Sequence, residues 1–230
     1  PRVIADGFRR LTEISAIDGA RKLTAIGQTL ARLPIDVQLA RMLVEGEKLH
    51  ALRELLTIVS FLSIQDPRER PGDARQQADA AHAVFADPKS DFVGVLNLWR
   101  AYHDAHEELT QSKLRDWCSR HFLSFMRMRE WRELHRQLLL VVGEIWGTGN
   151  GERGTQGARQ GMPSASDTRK IKTKALEQRR VAEELPVPRS PFPVPDPAYE
   201  NIHRSLLTGL PTQVGRKDEK GIYQSTRERK

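Results

Sequence analysis

With one cysteine, Cys118, in 230 residues, no internal disulfide can form, and such sparse thiol usage points to a reducing compartment. No apolar run approaches the length of a membrane span, which sets aside a membrane partner and favours a cytoplasmic setting. The opening PRVIADGFRR carries neither a start methionine nor a signal-peptide pattern, so the chain reads as beginning inside something larger. No Gly-x-x-x-x-Gly-Lys-Ser/Thr phosphate loop is present. The Gly-rich run at 147–161 contains no lysine and precedes no strong apolar helix, so it reads as a linker. His82, His103, His106, His121, His135 and His203 are scattered; His103 and His106 have Glu107 beside them but no further ligands. No Gly-x-Ser-x-Gly, carboxylate pair or Cys–His pairing stands out. By its own residues the chain has no catalytic centre and no metal site.

Positive charge is present, and it is unevenly spread. The net charge is +7 and the isoelectric point about 9.8. Residues 150–230 hold 16 Lys+Arg against 10 Asp+Glu, leaving 21 against 20 in residues 1–149. A nearly neutral body followed by a basic tail favours a nucleic-acid or other anionic partner. The hydrophobic share of 38% and mean hydropathy of -0.56 allow a core in part of the chain.

The rest is organised around Leu114–Val142, which contains neither Pro nor Gly and is long enough for about eight helical turns. Phe122, Phe125, Met126, Trp131, Leu134, Leu138 and Val141 recur at helical steps, predicting the buried stripe of one long helix or two abutting ones. Between them stand Arg127, Arg129, Arg132 and Arg136, with His121 and His135. Such a face is either simply solvated or a surface for a polyanion.

Elsewhere the spacing predicts a helix over Ile4–Ile14, a turn at Ala16–Gly19, a short basic strand at Arg21–Leu23, and a helix capped by Thr24 and stopped by Pro34. That is the outline of a small winged helix, better suited to docking than to DNA. Helices follow over 37–46, with Gly46 as the break, and over 49–63, the second the most buried. A polar loop then carries Gln65, Asp66, Arg68 and Arg70, held by the preceding helix as partner-binding loops often are. Further helices are expected over Gln77–Phe85 and over Phe92–Glu108, the latter capped by Ser90 or Asp91. After Trp146 come Gly-rich residues, a possible charged helix over Lys170–Glu184, and six prolines in 185–197. Ala198–Leu210 returns to helical spacing with Gly209 as its stop. Val214–Lys230 starts like a strand with nothing to pair against. Trp99, Trp117, Trp131 and Trp146 can stack on bases, but three of them fall at core-like positions.

Four blocks carry a family resemblance: LTAIGQTLARLPIDVQLARMLVEG, LRELLTIVSFLSIQDPRERP, FADPKSDFVGVLNLWRAY and FLSFMRMREWRELHRQLL. They resemble the C-terminal accessory region of DEAH-box RNA helicases, above all the bacterial HrpA-type ATP-dependent helicases. Tyr199–Leu207 and Gly215–Lys220 are similar to the approach to that family's OB-fold. The resemblance implies a mainly α fold: a winged-helix module at 1–42, a helical ratchet bundle at 43–146, and a Gly/Pro-rich insert at 147–197. A helix at 198–212 and the truncated start of an OB-fold at 213–230 follow. It also implies single-stranded RNA and the RecA-like motor domains of the same parent protein as partners. ATP and magnesium belong to those motor domains. No cofactor is expected in this chain, which by itself should neither hydrolyse ATP nor unwind a duplex. Charge and placement, rather than a family motif, nominate Gln65, Arg68, Arg70, Arg127, Arg129, Arg132 and Arg136 as RNA contacts. The alternative is a non-catalytic docking scaffold without nucleic-acid binding of its own.

Overall fold

A computed structural model describes residues 2–147, 196–211, 214–217 and 223–225. The expected charged helix lies outside the described residues, as does the Pro-rich segment except Asp196 and Pro197, which are helical rather than extended. The described chain is mainly α, with nine helices and two short strands: α1 Arg2–Glu13, α2 Ala25–Leu30, α3 Val37–Lys48, α4 Leu52–Leu62, α5 Arg75–Ala83, α6 Asp91–Glu108, α7 Gln111–Arg120, α8 Phe125–Trp146, α9 Asp196–Gly209, β1 Gly215–Lys217 and β2 Tyr223–Ser225. It divides into two compact units, one of Pro1–His135 with Val194–Lys230 and one of Arg136–Pro193. In the second, only the last part of α8 and the residue after it are described.

Several boundaries follow from local chemistry. The hydroxyls of Thr24 and Ser90 accept hydrogen bonds from the Gly27 and Val93 amides and so start α2 and α6, and the Asp36 carboxylate does the same for α3 through Gln38. Of the two arrangements left open for the organising stretch, the structure has two helices, α7 and α8, separated at residues 121–124, where Phe122 takes φ 53°. The break after α3 falls at His50, with φ 56°, rather than at Gly46. Gly46 lies buried inside α3, where an added Cβ would stand 3.0 Å from Leu55 Cγ. Its role is to admit α4, not to end a helix.

The core is built on α4, which is buried without a gap from Leu55 to Phe61. Trp131 of α8 is fully buried, its ring 5.1 Å from that of Phe61 and 4.7 Å from that of Trp99. The buried positions of α8 include Met128, Trp131, Leu138 and Val142. Met126, expected in the stripe, is 67% exposed, and Leu134 and Val141 are half-buried. The expected stripe ran through residues 121–124, and the turn there resets the helical phase.

The chain returns from far along the sequence to lay α9 on α3. Ile202 and Leu206 are buried, and Asn201 Nδ2 donates to the Leu49 carbonyl at 3.0 Å. Gly209 makes the contact possible, since a Cβ there would overlap the Gln38 carbonyl oxygen and approach Met42 Cγ to 2.7 Å. Farther on, β1 pairs antiparallel with β2, Arg216 opposite Gln224. The strand expected to stand unpaired therefore has a local partner.

Gly209→Ala should lower unfolding stability by about 1–3 kcal/mol through overpacking. Gly7→Ala, in α1 where nothing lies within 4 Å of the added methyl, should leave it unchanged or raise it by up to about 1 kcal/mol. Urea midpoints of the two variants check both.

Candidate nucleic-acid interface

The rotation of α8 decides what its arginines do. The Trp131 indole N–H points into the core and donates to the Thr57 carbonyl at 3.1 Å and to Ser60 Oγ at 3.0 Å. At about 100° per residue, Arg127 lies about 40° from that inward direction, whereas Phe125, Arg129 and Arg132 share a different face. Of the four arginines predicted as one surface, Arg127 is thus set apart. Arg136, four residues beyond Arg132, belongs to the second unit and is half-buried.

Arg127 turns toward the loop after α4 and donates from Nη1 to the Asp66 carbonyl at 3.0 Å. That loop is stitched to the α7–α8 turn. Ser124 N–H donates to the Pro67 carbonyl and Glu69 N–H to the Phe122 carbonyl, each at 2.8 Å, with a β-bridge between Arg68 and Leu123. The Asp66 carboxylate accepts from Arg68 Nη2 at 2.6 Å and from Arg68 Nε at 2.9 Å. Burial would raise the Asp66 carboxyl, but the hydrogen bonds and charge of Arg68 outweigh it and hold the group below the usual carboxylate range. The Arg68 guanidinium also lies 5.5 Å from the centre of the Phe61 ring. Arg70 is ion-paired with Asp79. Of the residues nominated from sequence, the exposed Gln65 stands beside these internal contacts, while Arg68, Arg70 and Arg127 take part in them.

A second region lies between α6, α7 and α8. A cleft of about 330 Å³ opens there, lined by Tyr102, His106, Gln111, Phe125, Arg129 and Arg132 among others. Arg132 Nη1 approaches His106 Nε2 to 2.6 Å, a contact that needs a neutral imidazole accepting the bond. Burial, with the nearby charge of Arg132, pushes His106 below its ordinary value and so keeps it neutral. Arg115 joins from α7: its guanidinium lies 5.1 Å from the Phe125 ring centre and that of Arg129 5.9 Å from it. Arg115, Arg129 and Arg132 are exposed, and none forms an ion pair with a carboxylate among the described residues. Sequence reasoning missed Arg115, His106, Tyr102 and Gln111, because only the α7–α8 turn brings them together.

Other candidates have structural roles. Trp99 and Trp131 are core residues and Trp117 is half-buried against it. Burial pushes the Cys118 thiol up to about 11, which leaves it unreactive at neutral pH. Among the described residues no group of three or more His, Cys, Asp or Glu comes together to hold a metal ion. His135, expected beside the polyanion-facing arginines, packs against Trp99 at 4.7 Å between ring centres. Burial, helped by His103 and Arg53, pushes it down to about 4, so it offers no positive charge at neutral pH.

Among the described residues the bundle thus carries a basic cleft whose lining includes no carboxylate. Residues 36–124 match the family model described as the helicase associated domain (HA2), ratchet-like. The chain is 35% identical over 222 residues to the ATP-dependent RNA helicase HrpA of Escherichia coli (strain K12), covering 94% of the chain and 14% of that protein. It is 40% identical over 151 residues to the HrpA homolog of Haemophilus influenzae, covering 63% of the chain and 12% of the homolog. The pre-mRNA-splicing factor ATP-dependent RNA helicase prp22 of Schizosaccharomyces pombe is 30% identical over 136 residues, covering 59% of the chain and 11% of that protein. These matches bear out the resemblance seen in the motifs: the chain belongs with the accessory region of HrpA-type DEAH-box RNA helicases. It spans only about a seventh of the length of the first of these relatives.

His135 generates a pH dependence. Its folded value lies below the ordinary 6.5, so the unfolded chain takes up the proton first and stability falls as pH drops from about 6.5 to about 4. The slope from this one group is at most about 1.4 kcal/mol per pH unit. His135→Gln should flatten that part of the profile, as read from urea midpoints at pH 7, 5.5 and 4.5.

Proposed function

We propose that this chain is the strand-guiding part of an ATP-dependent RNA helicase, holding single-stranded RNA while RecA-like motor domains of the parent protein drive the step. On this reading ATP and magnesium act in those motor domains, and this chain contributes no bond-breaking chemistry. The observation that carries it is the set of exposed guanidiniums of Arg115, Arg129 and Arg132 on a helicase-associated, ratchet-like domain, free of carboxylate partners among the described residues. Positive groups that no carboxylate neutralises are what a phosphate backbone requires. The names of the relatives, all RNA helicases, favour RNA as the strand. The same reading takes 1–42, with α1, the Ile17–Leu23 bridge and α2, as a winged helix, 43–146 as the ratchet bundle, and 213–230 as the start of an OB-fold. Gln65, Arg68, Arg70, Arg127 and Arg136 then act as secondary contacts. Among the described residues no helix is long and apolar enough to cross a membrane.

Fluorescence anisotropy of a labelled single-stranded RNA at two salt concentrations tests this. Binding should weaken steeply with salt, and Arg129→Gln/Arg132→Gln should weaken it about tenfold or more and reduce the salt slope by about 1.4. Arg127→Gln, which releases the loop after α4, should affect stability more than affinity. Absence of binding at low salt would sink the proposal in favour of a protein-docking scaffold. Binding that the double variant leaves unchanged would move the site to the basic tail.

A further inference from the structure

We propose that the cleft between α6, α7 and α8 receives one unstacked nucleotide of the strand, base inward and phosphate on the guanidiniums at its mouth. This rests on the strand-guiding reading and makes it specific. At about 330 Å³ the cleft lies at the lower end of ligand-sized cavities, more room than a phosphate alone requires. Its walls divide by chemistry. Leu109, Leu114 and Phe125 give it an apolar side that a phosphate cannot use but the flat face of a base can. The guanidiniums of Arg129 and Arg132 are planar groups that both stack on bases and pair with phosphates. Gln111, on the first turn of α7, offers an amide donor and an amide acceptor at one edge, the complement of a base's hydrogen-bonding edge.

Tyr102 supplies an independent sign of a missing ligand. It lines the cleft, is 0% exposed, and its hydroxyl has no hydrogen-bond partner among the described residues. A buried hydroxyl left unpaired is costly, and such groups call for an explanation. Burial also pushes the phenol up to about 12, so it remains a neutral donor throughout the working pH range. A carbonyl or ring nitrogen of an inserted base would satisfy it. Among the described residues no carboxylate lines the cleft, which favours an incoming phosphate. Paired bases in a duplex present no free face, so the site selects single strands.

The test compares two labelled 12-mers of equal charge, oligouridylate and an abasic ribose-phosphate chain, on the intact chain and on Tyr102→Phe and Gln111→Ala. Tyr102→Phe removes only an unpartnered hydroxyl and Gln111 is exposed, so both variants should fold; circular dichroism and urea midpoints verify this. The unaltered chain should prefer the base-bearing oligomer about tenfold, within the range of base stacking on protein side chains. Each variant should cut that preference to about threefold or less, with binding of the abasic chain unchanged. Equal, salt-sensitive binding of both oligomers would overturn the base site and leave phosphate guiding standing. A preference that survives in both variants would also overturn it, by placing the base elsewhere. Failure of both oligomers to bind at low salt would bring down the strand-guiding reading together with this one.

Discussion

The hydrogen bonds from the Trp131 indole to α4 fix more of this molecule than any other contact. The Thr57 carbonyl has a second lone pair to offer, and Ser60 Oγ donates its own proton along α4 to the carbonyls of Leu56 and Thr57, leaving a lone pair for the indole. The ring is enclosed by Phe61 and Trp99, so the bond forms where water does not compete. Truncating a buried aromatic of this kind costs about 3–5 kcal/mol. Against a total domain stability of about 5–15 kcal/mol, that is a large share. Its consequence is directional: with Trp131 held inward, α8 cannot rotate, and every side chain along it has an assigned face.

From that constraint the positive residues sort into two kinds. On the side of the loop after α4, Arg127, Arg68 and Arg70 meet a carbonyl and two carboxylates of the chain itself. Arg127 ties that loop to α8 beside the α7–α8 turn, where Phe122 occupies a backbone region that costs a bulky residue about 1–3 kcal/mol. The backbone bonds of Ser124 and Glu69 offset that cost. On the side of the cleft, Arg115, Arg129 and Arg132 meet aromatic and neutral groups instead. Net charge therefore overstates the field of the loop and understates that of the cleft.

Much of the fold was legible locally. Ser90 and Thr24 announce the helices they cap, and the apolar density of Leu55–Phe61 marks the central helix. What escaped has a common cause. Breaks at His50 and Phe122 rest on non-glycine residues in left-handed conformations, for which the sequence has no marker, while Gly46 looked like a break and is a packing contact. A break misplaced by a few residues shifts the phase of everything after it, which is why Met126 was expected inside and His135 outside. The candidate site suffered in the same way. Four arginines at similar spacing looked equivalent, and Arg115, ten residues before Phe125, gave no sign of standing over its ring.

The cleft's exposed position also bears on the motion proposed for the parent enzyme. Charges at the surface are screened beyond about 8 Å at physiological ionic strength, so each guanidinium acts only on the phosphate next to it. On the proposed reading, a few such contacts, with one base inserted, would hold a strand firmly enough to resist slipping between steps. They would not hold it so firmly that release limits the next step. A buried cationic pocket would bind a phosphate more tightly and give it up more slowly. For a module that must pass a strand along, three exposed arginines around a shallow, partly apolar cleft are better matched to the task than a deep one. Arg68 and Arg127, already engaged within the chain, act first to hold the loop beside the turn that shapes the cleft, and only secondarily on a strand.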